Sequence, residues 1–293
     1  MTSPTTLAAL LTKELRLRLR RERTIWVMII YLLVMGLLGT LYISRSGGYN
    51  SASVSSLGTG LYALLVFVQL FLIMFITPAF TSTSINGEKE RQTFDLLLCS
   101  RLSAFSLITG KLIAGLANAL LLIAASVPLF SLVFFFGGVG PDQVLMATLI
   151  FIVTAILVGT FGLFCSTLLK RPAVSTAMAY MFCVIWVITP WLLSALLQLN
   201  APFGGGPRAN LLFIGNPILA LLSTISFGGP SIGTAYALFG INLAPWQTYI
   251  MVNLLLTVVL VFLSMWLVKP DPIGRLSRRM EKRPAKKKAT ATV

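Results

Sequence analysis

Six long apolar stretches, at 25–43, 57–80, 107–136, 144–169, 173–199 and 248–268, govern what this chain can fold into. A helix rises about 1.5 Å per residue and a bilayer hydrocarbon core is about 30 Å thick, so roughly 20 apolar residues make one crossing. Each stretch approaches or exceeds that length. In lipid every backbone N–H and C=O must be bonded within protein, and segments this long meet that demand as helices. The charge content agrees: 11% of residues are charged, against about 25% in soluble domains. The expected fold is an all-α integral membrane protein with six transmembrane helices over 25–268. The third stretch is longer than one crossing needs, so its start, with Lys111, is expected to project beyond the membrane. Pro78, Pro128 and Pro190 fall inside or near the ends of the stretches, where neighbouring helices can satisfy the carbonyls that a proline frees.

The basic residues orient the chain. With six crossings and the amino terminus in the cytosol, all but Arg45 and Arg208 of the 23 Lys and Arg residues fall on the cytosolic side. That asymmetry is the positive-inside pattern, and it places both termini in the cytosol. The first stretch exceeds the apolar core of about 7–15 residues found in cleaved signal segments, and no small-residue cleavage motif follows it, so it is expected to stay.

Residues 5–23 read as an amphipathic helix lying along the membrane surface. Leu7, Leu10, Leu11, Leu15, Leu17 and Leu19 share one arc, and Lys13, Arg16, Arg20 and Arg23 the other. Glu14 and Arg18 lie within the leucine arc, four apart, where they can neutralise each other. This helix serves equally well as an orientation signal or as a mechanical element. The polycationic tail at 269–293 has no apolar periodicity and suits anionic lipid headgroups better than nucleic acid.

Two segments between crossings carry more information. The apolar stretch 211–227, broken at Asn216-Pro217, is too short for a confident crossing and too apolar to be freely solvated. It reads as a re-entrant or interfacial pair of short helices on the outer face, before the sixth span. The other segment, 84–103, is the only internal place where charges gather. There Phe94, Leu97 and Leu98 fall on one side of a short helix, and Arg91 and Asp95 can pair on the other. A short amphipathic helix tied to crossings at both ends can pass motion between a soluble partner and those crossings. An ordinary solvated loop is the alternative. Within the crossings, Gly110 with Ala114, Gly115 with Ala119, Ala155 with Gly159, and Gly162 with Ser166 have the spacing that lets helices approach closely.

Several chemistries are excluded. The chain has no histidine, and its cysteines, Cys99, Cys165 and Cys183, lack metal-ligand spacing. No phosphate-binding P-loop is present: Gly110-Lys111 has Phe105 where the first glycine belongs and Leu112 where a Ser or Thr belongs. No charged residue lies deep within a crossing, so the relays of an ion-coupled transporter are missing. No nucleophile and base constellation points to an enzyme.

The run G-E-K-E-R-Q-T-F-D-L-L-L-C-S-R-L-S at 87–103, with Gly110-Lys111 after it, resembles the loop between the second and third spans of ABC transmembrane type-2 permeases. Gly87, Glu88, Glu90, Thr93, Leu96, Leu97 and Lys111 match that pattern. Asp95 stands for the usual Glu, Gln92 replaces a glycine and Arg101 a proline. The resemblance implies that this loop is a coupling helix docking on a separate cytosolic ATP-binding-cassette ATPase. Glu88, Glu90, Arg91, Thr93, Phe94, Asp95, Leu97 and Leu98 are then its coupling residues. It further implies a second permease chain, identical or paralogous, and no catalysis by this chain. ATP and Mg are expected on the partner alone, with no cofactor bound here. The expected function is permease subunit of an exporter in the cytoplasmic membrane, and the charge-free crossings favour a hydrophobic or amphipathic cargo. A subunit doing mechanical, assembly or sensing work through the same docking is the alternative.

Overall fold

The computed structural model describes residues 22–46, 54–90, 104–169, 171–196, 213–225, 236–238 and 241–268. Its helices are α1 (Glu22–Ser46), α2 (Val54–Thr81), α3 (Asn86–Glu90), α4 (Ala104–Phe136), α5 (Pro141–Leu168), α6 (Pro172–Leu196), α7 (Pro217–Ile225) and α8 (Pro245–Val268). Among the described residues, six helices (α1, α2, α4, α5, α6 and α8) are long and apolar enough to cross a membrane. The protein is an all-α integral membrane protein, and each of the six apolar stretches contains one long helix among the described residues. A minor addition, not expected from the sequence, is an antiparallel hairpin of β1 (Tyr236–Leu238) and β2 (Ile241–Leu243), with Tyr236 opposite Leu243. Residues 5–21 of the amphipathic segment, with Glu14 and Arg18, and the tail at 269–293 lie outside the described residues.

Helix α5 is the hub, packing against α2, α4, α6, α7 and α8. Hydrophobicity cannot decide which helices meet in lipid, because the alternative environment is equally apolar; close approach and polar contacts decide it. Both are visible here. A Cβ on Gly159 of α5 would come 2.7 Å from Leu116 Cδ2 and 3.4 Å from Thr77 Cγ2, and a Cβ on Gly115 of α4 would come 2.8 Å from Thr81 Cγ2. The small residues thus bring α2, α4 and α5 together where bulkier ones would separate them. Polar contacts then tie the faces. Tyr31 of α1 donates to the side-chain oxygen of Gln69 in α2. The Thr154 hydroxyl of α5 lies 2.7 Å from the Tyr249 hydroxyl of α8. Conversely, Trp26, Leu33 and Leu37 on α1 and Met181, Ile185 and Ile188 on α6 are exposed apolar side chains, as on helices facing lipid.

The turn between α4 and α5 needs glycine. Gly137 and Gly138 have φ of 75° and 83°, a left-handed region that a Cβ disfavours. Pro141 then opens α5, and the Gln143 side chain accepts the Gly140 N–H at 3.2 Å. Proline at the first helical position gives up an N–H that had no helical partner anyway.

Candidate functional site

Helix α2 ends at Thr81, and the chain makes a turn at Ser82–Ile85 before the single-turn helix α3. A turn leaving a helix normally solvates its backbone groups. Here Ser82, Ile85 and Asn86 are fully buried, so their backbone polar groups require protein partners. Two neighbouring helices provide them. Ser166, in the last turn of α5, accepts the N–H groups of Ile85 at 2.9 Å and Asn86 at 3.0 Å through its hydroxyl oxygen. These are donors at the start of α3 that have no intrahelical acceptor. Ser166 therefore caps α3 from a different helix. Ser175, in the first turn of α6, donates to the Ser82 carbonyl at 2.8 Å, and Thr176 Oγ1 lies 2.9 Å from Ser82 Oγ.

Two lysines complete the clamp. Lys89 Nζ donates to the Thr167 carbonyl at 2.7 Å. That carbonyl belongs to the final turn of α5, where unpaired C=O groups and the helix dipole both favour a cation. Lys111 of α4 reaches Glu88 with Nζ 2.5 Å from Oε1. The Lys111 side chain is 7% exposed and that of Glu88 is 25% exposed. Helix α4 runs from Ala104, and Lys111, two turns in, is held against α3.

The turn and α3 are thereby tied to α4, α5 and α6 as well as to α2, from which they emerge. A displacement of the turn and α3 is resisted by an ion pair to α4 and by hydrogen bonds from α5 and α6. An element fastened this way moves its neighbours rather than sliding over them, because packed interiors deform little.

Of the residues singled out in the sequence, Glu88 and Glu90 lie in α3. Glu88 faces Lys111, whereas Glu90 is exposed at the end of the helix. Arg91, Thr93, Phe94, Asp95, Leu97 and Leu98 lie outside the described residues. The clamp's hydroxyl members, Ser166, Ser175 and Thr176, were not recognised as functional from sequence. Ser166 carries the spacing of a packing residue, and nothing in the order of residues says that its oxygen faces the start of α3.

Comparison with known proteins bears on this arrangement. The family model described as ABC-2 family transporter protein matches residues 8–269. No curated protein matches the chain. The match takes in all six membrane helices and the Glu88–Lys111 clamp, and on that ground the chain belongs to the ABC-2 family of transporter proteins, as a multi-pass membrane permease subunit.

Proposed function

We propose that this permease subunit is half of an ATP-driven exporter, that the 84–103 loop faces the cytosol, and that α3 begins the segment docking on a separate ATP-binding-cassette ATPase. The observation carrying this reading is the clamp. The start of the loop is bound by Ser166 and Thr167 of α5, Ser175 of α6 and Lys111 of α4. Force applied to the loop by a soluble partner then reaches four crossings at once. Phe94, Leu97 and Leu98 supply the apolar anchors of the docking face, with Arg91, Thr93 and Asp95 around them. Glu88 and Glu90 belong to the transmission side. ATP and Mg reside on the partner. Both termini are cytosolic, in the cytoplasmic membrane, following the distribution of Lys and Arg.

A second copy or a related permease chain completes the path, and anionic lipids hold the basic amino-terminal and carboxy-terminal segments. Away from their ends the crossings carry mild polar groups such as Gln69, Asn118, Thr154 and Asn253, which suits a hydrophobic or amphipathic cargo such as a drug, peptide or lipid-like molecule. The test is reconstitution with the ATPase subunit in inside-out vesicles, using a panel of lipophilic fluorescent dyes. ATP-dependent dye accumulation that requires both subunits is expected. ATP hydrolysis with no dye movement across the panel would favour mechanical work over export.

A further inference from the structure

Helix α7 is attached to the bundle in two different ways. Its body packs on α2, α5 and α8. Leu221 and Ala220 enter the main core, and Thr224 Oγ1 lies 3.3 Å from the hydroxyl of Tyr62, which itself donates to the Gln143 carbonyl at 3.0 Å. The turn that precedes it reaches another helix, α6. Phe213 meets Trp191 edge to face with ring centroids 5.1 Å apart. Asn216, 1% exposed, donates from Nδ2 to the Val187 carbonyl at 3.0 Å. The same side chain accepts the Ile218 N–H through Oδ1 at 2.8 Å, capping α7 ahead of Pro217.

The position of that carbonyl is informative. Pro190 lies inside α6. A proline has no N–H to give the residue four before it, here Trp186, and its ring crowds the preceding turn, so the helix is weakened there. Val187 is in that turn, three residues before Pro190, and its carbonyl is the one Asn216 holds. At its other end α6 is bound to the clamp by Ser175 and Thr176, and midway Tyr180 donates to the Phe75 carbonyl of α2 at 2.8 Å. Helix α6 is therefore fastened firmly to α2 on one side of its proline, and around the proline to the turn before α7.

We propose that Asn216 is a latch: its amide holds the turn of α6 before Pro190 against the turn before α7, and its release lets the outer part of α6 swing away from α7. This rests on the exporter reading only for the name of the side, outer, and for the force that opens the latch. One side chain serves both the α7 cap and the bond to α6, so the latch is separable from the cap by chemistry. Asn216→Ser keeps an oxygen to accept the Ile218 N–H and is too short to reach the Val187 carbonyl. Asn216→Ala loses both.

The test uses the full chain in lipid nanodiscs, where both faces are open to solvent, so neither the ATPase nor the orientation enters. A single-cysteine reporter is made by Phe213→Cys with Cys99, Cys165 and Cys183 replaced by alanine, and its rate of labelling by a soluble charged maleimide is measured. Phe213 is 1% exposed. Asn216→Ser is expected to raise the labelling rate about tenfold or more. Hydrogen exchange at Ala220–Ile225, read on the otherwise native chain, should change less than about twofold in the same variant. Asn216→Ala should raise both. An unchanged labelling rate in Asn216→Ser, or a rise accompanied by melting of α7, would overturn the latch. Neither result depends on whether an ATPase docks on the loop.

Discussion

Lys111 and Glu88, 23 positions apart in the chain, meet with their charged atoms at 2.5 Å. The two partners are unequally exposed, and this makes their removal unequal. Glu88, a quarter exposed, can reach water when unpaired, whereas Lys111 at 7% cannot without moving. Exposed pairs contribute up to ~1 kcal/mol, while breaking a buried pair by deleting one member costs ~3–5 kcal/mol. Glu88→Gln, which strands Lys111, is therefore expected to destabilise more than Lys111→Met. The exchanged pair Glu88→Lys with Lys111→Glu should recover part of the loss. Thermal denaturation of the four proteins in detergent checks the order, and equal midpoints for the two single variants would contradict it.

Ser166 bonds two backbone N–H groups, and its loss leaves both buried. An unsatisfied buried donor costs roughly 1–3 kcal/mol. Ser166→Ala is expected to speed hydrogen exchange at Ile85 and Asn86 by an order of magnitude or more. The amides in the middle of α5, around Phe151, should exchange as before. Unchanged exchange at Ile85 would show that the cap is not what orders the turn.

The glycines give a paired prediction. A Cβ on Gly58 would run into the Gly137 carbonyl, which is backbone and fixed by its turn, whereas one on Gly36 meets nothing within 4 Å. Gly36→Ala gains helix propensity of up to ~1 kcal/mol. Gly58→Ala, by forcing α2 from the α4–α5 turn, is expected to cost about 1–3 kcal/mol. Midpoints shifting in opposite directions support the packing described, and a tolerated Gly58→Ala would argue against it.

Orientation is tested by cysteines introduced at Ser51, Gly205 and Ala289. The first two should label from outside intact cells and the third only after permeabilisation, as the segregation of basic residues requires. External labelling at Ala289 would overturn the six-crossing arrangement with cytosolic ends.

The crossings were legible because length and apolarity alone define a membrane helix, and the small-residue pairs were legible because their spacing fits only one face. Partner choice between helices was not. That Thr154 meets Tyr249, or Ser166 the start of α3, depends on rotations about helix axes, and an apolar chain with nearly uniform hydrophobicity around each helix leaves no stripe from which to read them. The hairpin at 236–243 was hidden for a different reason: its strands have three residues each, too few to show alternation. At the clamp, Glu88 and Lys111 stood out as charges beside apolar stretches, whereas the hydroxyls of Ser166 and Ser175 are of a kind common throughout the chain.

The central claim is that the loop after α3 docks on an ATPase while α3 itself transmits. Apolar anchors at an interface centre often cost ~2 kcal/mol or more each when truncated, and exposed rim charges cost little. The deciding measurement compares two double variants, Leu97→Ala with Leu98→Ala and Glu88→Gln with Glu90→Gln, by co-purification of the ATP-binding-cassette subunit and by ATP hydrolysis of whatever complex forms. The leucine variant should insert in the membrane yet lose most of the ATPase subunit, and the glutamate variant should retain it with lowered substrate-stimulated hydrolysis. Wild-type assembly and wild-type hydrolysis in both would show that this loop is not the coupling element.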